Sequence, residues 1–416
     1  MNVAPRSQIK LNGRVCRPTA DFDVVIIGAG VGGAACALAF AHSHRLNILV
    51  IERHHGPGNL DRGGSLLPPV TALFKRWNIL DECFAAGARQ VKHMQFHHHR
   101  RGLLLEVPLS LPTVTDPYLV LRHPEVERVI VGGALATGRV EVWYQTRFTS
   151  LIEECGRVCG AVVDRAGTEQ RLSARVIVGA DGAGSVVRTA LGIEMLRSPY
   201  DHCLFTVDVD RPDGLPDVLR TEIHPSGGVL VVPGEGRLGV GALVRRSQEP
   251  QFRSGSLEEK FAQVEKRSPF LAGRRPSQGG SHLYKLWRGH APRYSARGAV
   301  LIGDAIHVLN PVMAQGMTMA IEDSAALARH LGPALAAGVA ENELDTCFAA
   351  YECERRPHNA TIVRRSHMVS RVFTLGGPFS DIIHRTICGV AASPPGQFLV
   401  RRVWSSFAKN PEPLPG

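Results

Sequence analysis

Apolar residues gather in short unbroken runs near the start of the chain and in alternating runs through its middle, and the two patterns predict different sheets. Residues 23–27, apolar without a break from Val24 on, read as a parallel strand covered on both faces. A glycine-rich turn follows over 28–33, then a small-residue helix over 34–43 and a second apolar strand over 47–51. Strand, helix and strand in that order make a β-α-β unit, whose right-handed crossover sets the two strands side by side in a parallel sheet. The apolar stretch 24–41 approaches the length of a membrane span, but Gly28, Gly30, Gly32 and Gly33 break it early.

Further along, 69–87 predicts a helix, and 91–112 alternates like an antiparallel excursion, with Met94, Phe96, Leu103, Leu105 and Val107 as its apolar positions. Helical spacing returns over 123–137. Strands over 140–148, 158–164 and 175–178 lead into a second glycine-rich turn at 179–184. Between 203 and 245, short alternating segments are separated by Pro-Asp-Gly, Pro-Ser-Gly-Gly and Pro-Gly-Glu-Gly, which predicts a second sheet, mainly antiparallel. A buried strand over 299–302 and helices over 316–331 and 341–374 return to the first domain. No internal repeat or low-complexity tract interrupts this order.

At 416 residues the chain can bury a substantial core. The net charge of +10 fits nucleic acid, an anionic membrane or anionic small ligands, but the arginines that carry most of it are scattered, which argues against nucleic acid. Nine cysteines without regular spacing fit reduced thiols in the cytoplasm rather than a disulfide framework or a zinc site. The run His97, His98, His99, Arg100, Arg101 invites a metal reading, yet consecutive strand residues point to opposite faces, so an exposed hairpin turn is expected and no metal site. The first twenty residues lack a signal-peptide core and read as a flexible extension.

The turn 28–33 fits G-x-G-x-x-G. Gly28 permits the turn, Gly30 lets backbone approach a pyrophosphate, and Gly33 allows close packing of the helix whose N-terminus faces the phosphates. Glu52 ends the next strand, where a carboxylate can accept both ribose hydroxyls; an acid there disfavours a 2′-phosphate. The site is thus a dinucleotide site that does not hold NADP.

Three motifs in order then resemble the FAD-dependent aromatic hydroxylases, the single-component group A flavoprotein monooxygenases, over nearly the whole ordered length. They are the fingerprint ending in Glu52-Arg53, the segment 179–188 (Gly-Ala-Asp-Gly-Ala-Gly-Ser-Val-Val-Arg), and Gly303-Asp304-Ala305-Ile306-His307 followed by Pro311 and Gln315-Gly316. The resemblance implies an α/β fold: a Rossmann-type FAD-binding domain over 21–90, 113–195 and 290–375, and a mainly antiparallel substrate domain over 91–112 and 196–289. An N-terminal extension (1–20) and a C-terminal helical segment (376–416) flank them. It implies that Asp304 accepts from a ribityl hydroxyl, that Asp181 holds its turn against the cofactor, and that Arg62 and Arg122 lie on the adenosine and ribityl sides. Pro311, Gly316 and Met317 would run along the isoalloxazine, with amides of the helix start near N1 and C2=O. Where the family commonly shows Gly-x-Gly-Leu-Asn, this chain has Ala314-Gln315-Gly316-Met317-Thr318; the loop can still form, with the Thr318 hydroxyl kept for capping. His307 is expected to be a hydrogen-bonded support rather than a base.

The resemblance implies non-covalent FAD, reduced by NADH or NADPH, and oxygen carried to an aromatic or lipophilic substrate through a flavin C4a-hydroperoxide, in secondary metabolism among other settings. Hydroxylation, epoxidation and Baeyer-Villiger insertion stay open, as does a separate reductase, because no second nucleotide fingerprint is present. The protein's task is to exclude water and position the substrate, so no side chain is named catalytic. The pocket wall is expected on the sheet 205–244 and the loop 311–317. A halogenase, whose Trp-x-Trp-x-x-Ile-Pro motif is missing, a prenyl reductase, and a non-catalytic FAD-binding protein remain as rivals. Apolar and arginine residues over 382–407 leave room for peripheral membrane contact.

Overall fold

Alternation and continuity in the sequence become two large sheets in the computed structural model, which describes residues 10–11, 14–15, 20–58, 63–110, 114–375 and 379–407. The main strands are β1 (Phe22–Ile27), β2 (Ile48–Ile51), β3 (His93–His98), β4 (Gly102–Pro108), β5 (Val140–Trp143), β6 (Thr146–Glu154), β7 (Arg157–Arg165) and β8 (Thr168–Gly179). They continue with β9 (Arg197–Asp210), β10 (Val218–Ile223), β11 (Val229–Pro233), β12 (Arg237–Arg245), β13 (Pro276–His290), β14 (Ala299–Leu301) and β15 (His307–Val308). The helices are α1 (Val31–Ser43), α2 (Pro68–Arg76), α3 (Leu80–Ala85), α4 (His123–Ala136), α5 (Val186–Ala190), α6 (Glu249–Ser254) and α7 (Leu257–Glu265). The last four are α8 (Gln315–Ala336), α9 (Glu341–Phe373), α10 (Ser380–Ala392) and α11 (Pro394–Phe407).

The first sheet runs β5-β2-β1-β8-β7-β6, with β14 also on β8. Its core is parallel: Val24 pairs with Ile48 on one side and Val176 on the other, as the β-α-β reading requires. Strand β8 serves two partners in succession. Its first half pairs antiparallel with β7, and from Ala174 onward it joins β1 and then β14 in parallel. Both faces of the parallel part are covered, so Val24, Val25, Ile26, Val176, Ile177 and Val178 are all fully buried. Helix α1 is built of small residues because α4 and α8 pack directly on it.

The second sheet runs β15-β13-β9-β12-β11-β10-β3-β4 and is antiparallel except between β10 and β3. Period-two alternation divides its faces. Phe205, Val207, Val229, Val231, Val240 and Ala242 pack against Phe252 of α6 and Phe261 and Val264 of α7. The opposite face turns toward the loop after β15: Leu219, Met94 and Val232 share one apolar cluster with Ala314 and with Trp404 of α11.

Two local expectations change. The helix expected over 69–87 is two helices, broken where Asn78 takes φ 56°, a conformation its short polar side chain tolerates. The histidine run does form a hairpin between β3 and β4 with Arg100 and Arg101 exposed at its turn, but His97 and His98 are buried, where α10 seats on β4. There His98, His99 and the α10 residue Asp381 bring ligand-type atoms within 4.8 Å of one another. The hydrogen bonds speak against an ion between them. His98 Nδ1 accepts the Arg100 amide, so His98 Nε2 carries the proton and points it at Asp381 Oδ1, 3.6 Å away. The pair reads as a clamp between α10 and the sheet.

Candidate cofactor and substrate site

The glycine turn has the geometry its residue types predict. Gly28 sits at φ 106°, and a Cβ on Gly33 would stand 1.8 Å from the Gly28 carbonyl oxygen, so helix and turn can meet only without a side chain there. Gly30 faces open space; its nearest neighbour would be Glu127 Oε1 at 3.9 Å. Helix α1 begins at Val31, three residues earlier than the apolar pattern suggests. Gly30 offers it no side-chain cap and its first turn holds no acid, so the amide end of the helix is left for an anion. Glu52 closes the turn by accepting the Ala29 amide on Oε2 and the His54 amide on Oε1, both at 2.9 Å. Arg53 is exposed against His54, Arg122 is exposed at the N-cap of α4, and Arg62 lies outside the described residues.

The second glycine-rich turn is organised by Asp181. Its carboxylate accepts the Val186 amide at 2.7 Å, the Val187 amide at 3.1 Å and the Ser185 hydroxyl, which fixes the start of α5. Gly182 and Gly184 face open space. Arg188, at the end of the same motif, donates to the Ala305 carbonyl at 2.8 Å and to the Ala183 carbonyl at 3.2 Å. One guanidinium therefore ties the second motif to the third, although they lie more than a hundred residues apart.

Asp304 is half-buried in a single 3-10 turn, Gly303–Ala305, directly before β15. A Cβ on either Gly32 or Gly303 would contact Ala320 of α8, at 3.5 and 3.1 Å, so one helix residue gauges the approach of the first and third motifs. Pro311 opens a 3-10 turn, Pro311–Met313, and Gly316 and Met317 lie in the first turn of α8, again without a side-chain cap or an acid. Ala314 holds φ 53° at the position expected to be glycine in the resembled pattern. Thr318 does not cap: its hydroxyl is buried and makes no hydrogen bond, because Ala314 takes the N-cap position four residues earlier.

The support beneath this loop was not apparent from the sequence. His307 Nε2 lies 2.7 Å from Asp323 Oδ2, and both side chains are fully buried. Arg355 Nε donates to Asp323 Oδ1 at 2.8 Å, Asn359 donates to the same oxygen at 3.0 Å, and the Gly303 amide reaches Oδ2 at 3.2 Å. Burial works against ionisation of Asp323, but Arg355 and His307 overcome it and hold the carboxyl well below the usual carboxylate range. His307 is thus committed to a hydrogen bond inside the protein. The available signal was the i, i+4 pair Arg355 and Asn359 on an otherwise mixed helix, whose partners only the fold reveals.

A cleft of about 430 Å³ opens beside this region, lined by the ends of β9 and β12, by Arg288 of β13 and by the last turns of α9. Only Ser226, Gly227 and Leu243 of the expected wall over 205–244 line it, and no residue of 311–317 does. His202 connects the two places: its Nε2 accepts from the Asn310 side chain at 2.9 Å, and Asn310 Oδ1 accepts the Val312 amide at 3.1 Å. Burial pushes the His202 imidazole down to about 4, so it is neutral near pH 7.

The donor set fits an extended flavin dinucleotide: uncapped helix ends at α1 and α8, a carboxylate at Glu52, and Asp304 between them. The comparisons agree. A family profile described as an FAD binding domain matches residues 21–366. 6-Methylpretetramide 4-monooxygenase of Streptomyces rimosus is 28% identical over 93% of this chain and 94% of its own. 3-Hydroxybenzoate 6-hydroxylase of Polaromonas naphthalenivorans is 27% identical over 86% of this chain and 90% of its own. Among solved structures, p-nitrophenol 4-monooxygenase of Pseudomonas putida superposes with a TM-score of 0.79 at 19% identity, covering 92% of this chain and 97% of that one.

Proposed function

The chain belongs to the FAD binding domain family and is an FAD-dependent monooxygenase of the group A kind, and from that premise we propose that it uses NADH or NADPH and dioxygen to hydroxylate or epoxidise an aromatic small molecule. The observation that carries this reading is the meeting of the three motifs. Gly28–Gly33, Asp181 with Arg188, and Asp304 stand together through Ala320 and the Ala305 carbonyl, and two uncapped helix ends remain for the cofactor. Bound FAD supplies the redox and oxygen chemistry. The chain's own residues then have defined work. The α1 amides and Glu52 take the pyrophosphate and adenosine ribose, Asp304 takes the ribityl chain, and the first turn of α8 turns its partial positive charge toward the ring edge. The face of the second sheet carrying Leu219 and Val232, closed by Ala314 and Trp404, holds the substrate against the ring and keeps water out. Arg62 and Arg122 complete the cofactor contacts in this reading.

The test follows the visible spectrum of FAD-loaded protein under anaerobic addition of NADPH and then NADH, with and without phenolic and quinoline-type compounds. Bleaching accelerated by one of these compounds, and oxygen consumption on re-aeration, is the expected result. A flavin band that never bleaches would move the reading to a partner reductase or to a non-catalytic FAD-binding role, and bleaching without oxygen transfer to a prenyl reductase. A second reading concerns location: we also propose peripheral contact of α10 and α11 with a lipid surface, motivated by Phe379, Ile382, Val390, Phe398 and Leu399, all exposed beside Arg385 and Arg401.

A further inference from the structure

The cleft between α9 and the ends of β9, β12 and β13 gathers more positive charge than the fold uses. Arg245, Arg288 and Arg371 all line it, against one carboxylate, Asp201. Among the described residues none of the three arginines is ion-paired; Arg245 makes one hydrogen bond, to the Pro225 carbonyl at 3.2 Å. Arg288 is half-buried, so its charge acts where solvent screens it less. Its field reaches both Tyr200 and His367, and Arg371 adds to it at His367, whose imidazole is lowered by burial first and by these two cations next. The cleft's polar wall is under-used as well. His367 Nδ1 is buried and makes no hydrogen bond within the protein, while the buried Tyr200 hydroxyl is directed at Ser370 and the Asn310 backbone. Buried polar atoms without partners and like charges without counter-charges are both unfavourable, and a ligand that accepts hydrogen bonds and carries negative charge would relieve both.

We propose that this cleft is a binding site for an organic oxyanion, separate from the substrate face at Leu219, Val232 and Ala314. Guanidinium forks suit a planar carboxylate or a phosphate through paired hydrogen bonds, and the volume of about 430 Å³ admits a small organic ligand rather than a bare ion. Two sources carry this chemistry in a flavin enzyme: the phosphates of a nicotinamide dinucleotide and the carboxylate of a small aromatic acid. Occupancy is felt at the loop, because His202 on the cleft wall holds Asn310, and Asn310 fixes the turn at Val312.

The experiment is calorimetric titration of the FAD-loaded protein with inorganic pyrophosphate and, separately, with benzoate. It is repeated on Arg288→Gln, on Arg371→Gln and on the distant exposed control Arg147→Gln, at matched ionic strength and with flavin content checked for each variant. We expect at least one anion to bind, to weaken about tenfold in each cleft variant, as loss of a charged hydrogen bond does, and to be unchanged in the control. Pyrophosphate binding alone assigns the site to a nucleotide phosphate, benzoate alone to a carboxylate. Arg371 is exposed on α9, so its variant keeps the test available if Arg288→Gln loses its fold. Binding of neither anion, or affinity unchanged in the cleft variants, overturns the proposal.

Discussion

Single residues decide whether the loop beneath the proposed flavin ring is strained. Among the described residues Ala314 is one of five non-glycine residues with positive φ, and it stands where the chain turns from Pro311–Met313 into α8. A Cβ in the left-handed region costs about 1–2 kcal/mol, whereas glycine costs about 0.5–1 kcal/mol more than alanine in lost chain entropy on folding. Ala314→Gly should therefore stabilise the protein by about 0.5–1 kcal/mol, read as a higher denaturation midpoint at fixed FAD concentration; a lower midpoint would show that the alanine is held without strain. The substitution of alanine for glycine was legible in the sequence, but its conformation was not. Residue identity reveals that a glycine is missing, while only the chain path shows that the position still requires positive φ. The same holds for Thr318, whose hydroxyl promised a cap and instead lies buried and unpaired.

At the scale of elements, local signals are legible in the sequence and long-range polar contacts are not. The β-α-β unit, the second glycine turn and the long C-terminal helix all announce themselves through runs, breakers and period, and β1, α1, β2 and α9 lie within a few residues of their expected places. Strand β8 was seen only in part, since its first half alternates with exposed residues and carries no continuous apolar run. The network joining β15, α8 and α9 has no local signature beyond the Arg355 and Asn359 pair on α9, because His307, Asp323 and Arg355 are separated by 16 and 32 positions. That network makes a strong prediction. Arg355 bridges Glu322 at 2.9 Å and Asp323 at 2.8 Å, and Arg355→Met leaves the fully buried Asp323 without its main counter-charge. Such a loss costs about 3–5 kcal/mol, which chemical denaturation of the FAD-loaded variant would report. A loss below about 1 kcal/mol would mean that His307 and Asn359 suffice to hold the carboxylate.

For the whole molecule, the distribution of charge and apolar surface bears on where the enzyme works. No helix of the described residues is long and apolar enough to cross a membrane. Yet α10 and α11 bury little on their outer sides: Phe379 and Phe398 are each 69% exposed, with Val390 and Leu399 close to that. Their inner sides are anchored, through His98 and Asp381 on α10 and through Trp404, whose indole donates to the Leu109 carbonyl at 3.0 Å on α11. A fixed apolar face beside Arg385 and Arg401, on a chain with net charge +10, suits an anionic lipid surface, each seated side chain contributing about 1.5–3 kcal/mol if fully buried. The measurement is co-sedimentation with vesicles of phosphatidylglycerol and phosphatidylcholine against phosphatidylcholine alone. Binding should favour the anionic vesicles and fall at least tenfold in the double variant Ile387→Asp, Leu399→Asp, with flavin content retained. The competing occupant is a second copy of the chain. If the wild type is a dimer by light scattering, the double variant a monomer, and vesicles bind neither, this face is a subunit interface and the lipid reading fails.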